Sequence, residues 1–409
     1  MKVLSLFDGM ACGMIAMKLA GVEIESYDAY EIDKYAIKTA QHNFPMIKEH
    51  GDVFEDDFTQ YEGVDFLIGG SPCTYWSIAQ TKNRETVASG MGWELFSQYV
   101  RALHESKPKY FIYENNKSMS KQIRASIDDA FGFEAVCINS ALVSAQNRQR
   151  LYWVGKRNAD GTYSRVNVEQ PADRGILLKD VLDSVVAMRE MDAEPINVES
   201  YEISHTCDFD VTPSGTLRVA YTDKSESQGY RVYCADYKSV AMRAQGNGRG
   251  AELVAEPIND IYQVGAMPRP DGEISTSAGF RIYSTEAKGR YLCANGGGAG
   301  AKTGLYAIPY EIEFDDYGRP IKAIGKDGKE ITIYEVRDGK IAIKGKQYPI
   351  KLKDGYYIIR KLTVCECMRL QTVPEWYEFP VSNSQAYKML GNGWTCEVIA
   401  HILEGLKEA

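Results

Sequence analysis

Residues 1–20 read MKVLSLFDGMACGMIAMKLA, and this stretch contains three kinds of local structure in order. The apolar run Val3–Leu6 predicts a short buried strand, and Gly13–Ala20 has the apolar spacing of a helix. Between them, Phe7-Asp8-Gly9-Met10-Ala11-Cys12 forms a loop in which glycine lets backbone N–H groups approach a ligand. Strand, glycine loop and helix in this order predict the first unit of an open α/β sheet.

Strand and helix patterns alternate to about residue 155. Helical patterns lie at Lys34–Asn43 and Trp93–Glu105. Short strands are predicted at Val3–Leu6, Glu25–Tyr30, Phe66–Ile68, Tyr110–Tyr113 and Tyr152–Val154. Because this alternation builds a parallel sheet covered by helices, we predict an α/β fold with a Rossmann-like sheet.

The pattern changes after about residue 165 to short Tyr- and Gly-rich segments with turn signals such as Asp315-Asp316-Tyr317-Gly318. This composition predicts a second, mostly β region. Helical patterns return near residue 360 and continue through Gln385–Leu390 and Cys396–Leu406. We therefore predict one domain of residues 1–165 plus 380–409 and a second of residues 166–379.

An internal repeat at an offset of 50 lies in the second region, at residues 231–251 and 281–301. Arg231-Val232-Tyr233 matches Arg281-Ile282-Tyr283, and Lys238 matches Lys288. Later in each copy, Ala244, Gly246, Gly248 and Gly250 match Ala294, Gly296, Gly298 and Gly300. Basic residues beside a glycine loop suit close approach to a phosphate or a base edge. A pair of structural hairpins would explain the repeat equally well.

Composition indicates a folded globular chain, with 44% hydrophobic and 25% charged residues among 409. The formal net charge of −9 argues against a protein that coats nucleic acid nonspecifically, because such binding depends on Lys and Arg neutralising phosphates. Residues 135–159 are a local exception, since they lack Asp and Glu but contain Arg148, Arg150, Lys156 and Arg157. A solvated basic face is the alternative explanation for this strip.

The nine cysteines have neither zinc-ligand nor disulfide-framework spacing, so we expect no metal and a reducing compartment. No apolar run approaches the roughly 18 residues that would span a membrane. We therefore expect a soluble cytoplasmic protein.

Acids follow the early strands at positions where a nucleoside could bind. Asp8 lies in the first loop, Glu31-Ile32 follows the second strand, and Gly51-Asp52-Val53 comes next. An acid at the tip of the second strand commonly accepts the ribose hydroxyls of an adenosine. Together the three loops predict an adenosine pocket, although each acid alone is more often a helix cap or turn residue.

A second group of loops joins a thiol to an acid and two guanidinium groups. Gly69-Gly70-Ser71-Pro72-Cys73 follows a buried strand, Glu114-Asn115-Asn116 ends the next strand, and Gln146-Asn147-Arg148-Gln149-Arg150 leads into the following one. Attack on a pyrimidine needs a thiolate, a proton donor to the ring nitrogen and nearby cations. A lone cysteine is more often inert, so the ordered set carries this interpretation.

In this order the segments resemble the cytosine-5 DNA methyltransferase family. The resemblance covers about half of the chain and includes its later part: Arg360-Lys361-Leu362-Thr363, Glu366, Arg369-Leu370-Gln371, Pro374 and Gly391-Asn392-Gly393. It departs from the family pattern at Asn116, where Val is common, and at Trp394, where a small β-branched residue is usual.

The resemblance implies an S-adenosylmethionine-dependent DNA (cytosine-5) methyltransferase that acts on a flipped-out cytosine in double-stranded DNA through a Cys73 adduct at C6. The implied catalytic residues are Cys73, Glu114, Arg148 and Arg150. Cofactor contacts are implied for Phe7, Asp8, Gly9, Met10, Gly13, Glu31, Ile32, Asp52, Val53, Pro72, Leu95 and Asn392. DNA contacts are predicted for Gln146, Arg231, Lys238, Arg281 and Lys288, with the repeat region as the target-recognition domain.

The same reasoning predicts a monomeric enzyme of a bacterial or phage-infected cell, of the kind found in restriction-modification. Two alternatives stay open. An RNA cytosine-5 methyltransferase of the same fold would reach an unpaired base without flipping it, although the long region after residue 166 offers a surface for a duplex. A non-catalytic DNA- or cofactor-binding relative would have no need of a thiol beside an acid.

Overall fold

The computed structural model describes most of the chain's two ends and several strands between them. The described residues are 1–77, 84–183, 218–221, 231–233, 239–240, 263–266, 281–283, 306–310, 331–343, 346–350, 354–360 and 362–408. They form two compact units. The first contains residues 1–143, 149–173 and 371–409, and the second contains residues 144–148 and 174–370.

The first unit is an α/β unit. Its strands are β1 Lys2–Leu6, β2 Ser26–Tyr30, β3 Lys48–Glu49, β4 Phe66–Gly69, β5 Tyr110–Asn116, β6 Val136–Asn139, β8 Gln149–Arg157 and β9 Tyr163–Arg165. Its helices are α1 Cys12–Leu19, α2 Lys34–Asn43, α3 Met91–Ser106, α4 Lys121–Phe131, α6 Asn383–Asn392 and α7 Cys396–Glu408. Three short 3-10 helices lie at Phe58–Tyr61, Cys73–Tyr75 and Ser140–Leu142.

One eight-stranded sheet organises this unit, with the strand order β3-β2-β1-β4-β5-β8-β6 and with β9 paired to β8. Parallel pairing joins β3, β2, β1, β4 and β5, so the carboxyl ends of these strands meet at one edge. The strand β8 runs antiparallel to both β5 and β6. The predicted α/β sheet is confirmed. Its antiparallel side was not predicted, because a buried apolar run reads the same in either direction.

Apolar side chains explain why this sheet forms. The middle residues of β1, β4 and β5 are almost wholly buried, as expected for strands with helices on both faces. Large aromatic rings fill the core on one side, where Phe96 packs on Tyr113 and Phe131. On the other side α1 packs against α7, which brings the end of the chain onto its beginning.

The described residues of the second unit are mostly β, as predicted. Its strands are β7 Gln146–Asn147, β10 Arg218–Tyr221, β11 Arg231–Tyr233, β12 Ser239–Val240, β13 Gln263–Ala266, β14 Arg281–Tyr283, β15 Tyr306–Tyr310, β16 Ile333–Arg337, β17 Lys340–Ile343, β18 Lys346–Pro349 and β19 Gly355–Arg360. Its described part also contains a short 3-10 helix at Leu178–Val181 and helix α5 Val364–Leu370. An antiparallel sheet has the order β15-β19-β16-β17-β18.

The internal repeat has a structural counterpart in two strand pairs. The strand β10 pairs antiparallel with β11, and β13 pairs antiparallel with β14. Both pairs have a register irregularity at the same place, between the first and third residues of the first strand. Each repeated Arg-Val/Ile-Tyr segment is therefore the second strand of a pair. Lys238, Lys288 and the glycine runs lie outside the described residues.

A buried ion pair holds the end of the second unit together. The guanidinium of Arg360 donates to both oxygens of Glu366, at 2.7 and 2.6 Å. The backbone N–H groups of Thr363 and Asp183 donate to the same carboxylate. Arg369 in turn pairs with Asp183 at 2.5 Å. These contacts give the Arg360–Arg369 segment a structural role in joining β19, α5 and residues 181–183.

None of the described helices combines the length and the apolar character needed to cross a membrane.

Candidate active site

The loop after β4 lies directly against the end of β5. At Gly70, an added Cβ would come within 2.7 Å of the Glu114 carbonyl oxygen and 3.0 Å of Glu114 Oε2. No side chain larger than hydrogen fits there without moving the strand. The glycine in the sequence Gly-Ser-Pro-Cys therefore allows the loop to reach the carboxylate.

Three side chains fix the loop in this place. Ser71 Oγ and Tyr113 Oη share a hydrogen bond of 2.7 Å, and Asn115 Nδ2 donates to the Ser71 carbonyl at 3.1 Å. All three residues are buried. Two residues after Ser71, Cys73 begins the short helix Cys73–Tyr75. Pro72, between them, is exposed. The backbone that carries Cys73 is thus anchored to the carboxyl end of β5.

Two donors from different parts of the first unit hold Glu114. Arg150 Nε lies 3.0 Å from Oε1, and the indole Nε1 of Trp394 donates to Oε2 at 3.0 Å. The side chains of Glu114 and Arg150 are each only 11% exposed. Arg150 reaches Glu114 because β8 pairs with β5 and places Arg150 opposite Asn116. Two of the predicted catalytic residues are therefore in contact.

Gln146 and Arg148 belong to the second unit. The Gln146 amide donates to the Leu370 carbonyl at 3.0 Å, and β7 pairs in parallel with β12. Arg148 is 3% exposed. The predicted catalytic set is thus divided, with Cys73, Glu114 and Arg150 in the first unit and Arg148 in the second.

Asp8, in the predicted adenosine pocket, is buried at the carboxyl end of β1. Its Oδ1 accepts hydrogen bonds from Ser5 Oγ at 2.5 Å and Tyr27 Oη at 2.6 Å. Its Oδ2 has no hydrogen-bond partner among the described residues. Burial raises the pKa of Asp8 to about 6, against the opposing effect of these two hydrogen bonds.

Glu31 is oriented by backbone amides at the end of β2. Its Oε2 accepts from Gly9 N at 2.9 Å, and its Oε1 accepts from Ile32 N and Asp33 N at 2.8 Å each. The following side chain, Ile32, is 75% exposed. A fixed carboxylate beside an exposed apolar side chain matches the requirements of a ribose and the base attached to it.

The other predicted cofactor residues fall into two groups. Phe7, Asp52, Leu95 and Asn392 are exposed or half-buried in loops or at helix surfaces, and Met10 and Val53 are buried. Gly13 has a packing reason, because an added Cβ would lie 2.3 Å from Ile68 Cδ1. The loop itself is constrained, since Phe7 and Ala11 adopt φ of 59° and 60°.

Glu49, on β3, is a further carboxyl group near this pocket that the sequence did not indicate. Neither of its oxygens has a hydrogen-bond partner among the described residues. Burial, followed by the negative charges of Asp8 and Glu31, raises its pKa to about 8. No sequence signal identified Glu49, because it follows no recognisable motif and its strand is two residues long. In the described part of the chain, no three His, Cys, Asp or Glu side chains are grouped to hold a metal.

The chain is similar in sequence to known methyltransferases of phages and bacteria. Over 169 residues the chain is 35% identical to the orphan methyltransferase M.Rho11sI of Bacillus phage rho11s, covering 38% of this chain and 33% of that protein. It is 26% identical over 260 residues to the type II methyltransferase M.HhaI of Haemophilus parahaemolyticus, covering 61% of this chain and 75% of that protein. The chain thus spans only about a third of the length of the phage relative.

The fold has solved counterparts as well. The Entamoeba histolytica methyltransferase EhMeth superposes with a TM-score of 0.51 at 12% identity, covering 100% of this chain and 98% of that one. At this identity the likeness shows the fold alone. The family model described as C-5 cytosine-specific DNA methylase matches residues 1–408. With a match over almost its whole length, the chain belongs to the C-5 cytosine-specific DNA methylase family.

Proposed function

We propose that the protein is a DNA (cytosine-5) methyltransferase that transfers a methyl group from S-adenosylmethionine to a cytosine extruded from double-stranded DNA. The observation that carries this proposal is the contact between the Gly70 loop and Glu114. It brings a thiol-bearing loop and a fixed carboxylate to one edge of the sheet, beside a pocket suited to adenosine. Open α/β sheets bind ligands at this edge.

Cys73 is the proposed nucleophile. Its thiolate adds to C6 of cytosine, forming a carbon–sulfur bond while the ring electrons move toward C5 and N3. Glu114 would deliver a proton to N3 and accept a hydrogen bond from the exocyclic amine, which would neutralise the negative charge that develops on the ring. After methylation a base removes the C5 proton, and the carbon–sulfur bond breaks to return the Cys73 thiolate.

The two arginines of the proposed catalytic set, Arg148 and Arg150, have different roles in this proposal. Arg150 contacts Glu114 directly and holds one carboxylate oxygen in place. Arg148, from the second unit, is assigned by the family resemblance to orient the base and support the thiolate. The two arginines are close in sequence but belong to different units, so their loss should have different effects.

The residues of the adenosine pocket fit S-adenosylmethionine, whose sulfonium supplies an electrophilic methyl group when it is bound. Glu31 would accept the ribose hydroxyls, because three backbone N–H groups already hold its carboxylate in one orientation. Ile32 and Val53 would pack on the adenine, Asp52 would accept a hydrogen bond from its amine, and Phe7, Leu95, Pro72 and Asn392 would line the remainder.

The second unit is the proposed target-recognition domain. Extruding a cytosine costs a few kcal/mol of unstacking, which contacts to the rest of the duplex must offset. Arg231 and Arg281 begin equivalent strands in the two repeated pairs, so they are candidates for equivalent DNA contacts. Lys238, Lys288 and Gln146 complete the proposed set. Since phosphate contacts are screened, duplex affinity should fall as salt rises.

A mechanism-based trap tests the proposed function. We would incubate the protein with S-adenosylmethionine and a duplex library containing 5-fluorocytosine, then measure the mass of the denatured protein. Fluorine at C5 blocks the final elimination, so we expect a stable adduct on Cys73 and none with Cys73→Ala. Cys137→Ala, at a half-buried thiol on β6, is the matched control and should trap normally.

Two results would contradict the proposal. An adduct that persists in Cys73→Ala would remove the assigned nucleophile. Trapping by single-stranded RNA in preference to duplex DNA would assign the enzyme to RNA.

A further inference from the structure

The Trp394 indole contacts a residue of the proposed catalytic set. Its N–H donates to Glu114 Oε2 at 3.0 Å, while Arg150 contacts the other oxygen, Oε1, at 3.0 Å. A carboxylate that accepts one donor on each oxygen cannot rotate about its terminal torsion without breaking a contact. Trp394 and Arg150 together therefore fix the plane of the Glu114 carboxylate.

The backbone on both sides of Trp394 is itself held in place. Gln371 Nε2 donates to the Gly393 carbonyl at 3.1 Å, and Thr395 Oγ1 donates to Gln371 Oε1 at 2.9 Å. Ser140 Oγ shares a further hydrogen bond with Thr395 Oγ1 at 2.8 Å. One glutamine thus binds the residues before and after Trp394, which presents the indole in a defined direction.

A space-filling role alone would not require this arrangement. The indole is only half-buried, and its single polar atom is directed at a carboxylate. A small β-branched residue at this position, as is usual in the family pattern, has no N–H with which to do this. The departure at Trp394 thus adds a donor to the proposed site.

We infer that Trp394 is a positioning residue for catalysis, which holds the Glu114 carboxylate in the plane that meets N3 and the exocyclic amine of the extruded cytosine. This inference rests on the proposed function. Binding and reaction should respond differently to the loss of Trp394, because the orientation of Glu114 matters once the base is in the pocket and not while cofactor or duplex binds. The effect of losing the indole N–H should therefore appear in kcat and not in KM.

The test compares two substitutions of Trp394, one that keeps an aromatic ring and one that keeps an N–H donor. Trp394→Phe keeps a ring but removes the donor, whereas Trp394→Gln removes the ring but keeps an N–H. With tritiated S-adenosylmethionine and unmethylated bacterial genomic DNA, we expect Trp394→Phe to lower kcat on the order of 10-fold, as loss of a hydrogen bond to a charged group does. KM for both substrates should change by less than about 2-fold, because loss of an interaction made only in the transition state lowers kcat and kcat/KM equally.

Rescue and a matched control complete the design. Trp394→Gln should recover part of the lost kcat, and the rate of 5-fluorocytosine adduct formation should follow kcat in all variants. Trp153→Phe is the control, because Trp153 Nε1 also donates to a carboxylate, Asp128 Oδ1, at 2.7 Å, but outside the proposed set. It should lower the melting temperature without lowering kcat at a temperature where it is folded.

The outcomes are distinct. Absence of methyl incorporation by the wild-type protein would overturn the proposed function and this inference together. An active wild type with unchanged kcat in Trp394→Phe would overturn the inference alone. Equal losses in the Phe and Gln variants, or a loss confined to KM for the cofactor, would assign Trp394 to pocket shape and would also overturn it.

Discussion

At the scale of single residues, the unusual feature of the proposed adenosine pocket is the number of carboxyl groups around it. Asp8 and Glu49 both have raised pKa values because they are buried, and each is further raised by neighbouring negative charge. Oxygens that lack partners among the described residues are present on both. Such groups lower stability when they ionise, and this has a measurable pH dependence.

Glu49→Gln should reduce the loss of folding stability with rising pH. The carboxyl of Glu49 ionises near 4.5 in the unfolded chain and near 8 in the folded protein. Folding therefore favours the protonated form of Glu49. The stability that this preference contributes is fully present below about pH 4.5 and is lost as the pH rises to about 8. Melting temperatures measured from pH 5 to 9 should fall less steeply in the variant. Parallel curves would contradict the assignment.

Gly70→Ala should impair the site through a steric effect. Its Cβ would lie 2.7 Å from the Glu114 carbonyl oxygen, so either the loop or the end of β5 must move. We expect a loss of stability of about 1–3 kcal/mol, as for overpacked positions, and a fall in activity on the order of 100-fold if the spacing of Cys73 and Glu114 changes by about 1 Å.

Gly405→Ala is the matched control for this substitution. Gly405 lies within α7, and nothing lies within 4 Å of an added Cβ. Alanine should there raise stability by about 0.5–1 kcal/mol and leave methyl transfer unchanged. Urea unfolding of the two variants would measure both effects. Equal stability changes at the two glycines would show that Gly70 is not in close contact.

At the scale of secondary-structure elements, the segment from β19 to α5 depends on one buried charge pair. Arg360 and Glu366 are 3% and 0% exposed. Removing one partner of such a pair leaves the other charge buried without compensation, which costs more than the pair contributes. The sequence resemblance included both residues but gave no reason for their presence, and the structure supplies one.

Glu366→Gln should destabilise the second unit by about 3–5 kcal/mol, because the Arg360 guanidinium would lose its counter-charge. The exposed pair of Lys107 with Glu62 is the control, since each side chain is about half exposed to solvent. Glu62→Gln should leave stability almost unchanged, because solvent screens an exposed pair. Hydrogen exchange, read separately over residues 354–370 and 58–64, would distinguish local from global effects. Similar protection losses in both variants would contradict the prediction.

Strand identity was easier to predict from the sequence than strand direction. The apolar runs of β1, β4 and β5 were readable because buried strands need continuous hydrophobic residues. The reversal at β8 was not, because pairing is set by contacts with β5 and β6 that are distant in sequence. Loops after strands predicted that Glu114 and Arg150 would approach the same sheet edge. They could not predict that Trp394, 280 residues beyond Glu114, would join them.

At the scale of the whole molecule, the two units are interleaved along the chain. The chain leaves the first unit at residue 143, returns at 149, leaves again after 173 and returns at 371. Hydrophobic patterning indicated the change to β structure near residue 165 and the return of helices near 360. It could not indicate that residues 144–148 group with residues 174–370, because a segment of five residues is too short to carry a pattern.

The interleaving has a consequence for inheritance. Apart from residues 144–148, the whole second unit is encoded by one uninterrupted stretch, residues 174–370. Two crossovers in a gene, one at each end of that stretch, would exchange nearly all of this unit and leave Cys73, Glu114, Arg150 and Trp394 untouched. With the second unit as the proposed target-recognition domain, a lineage could in this way change the DNA sequence it recognises in a single recombination event, while the proposed catalytic residues of the first unit pass on unaltered.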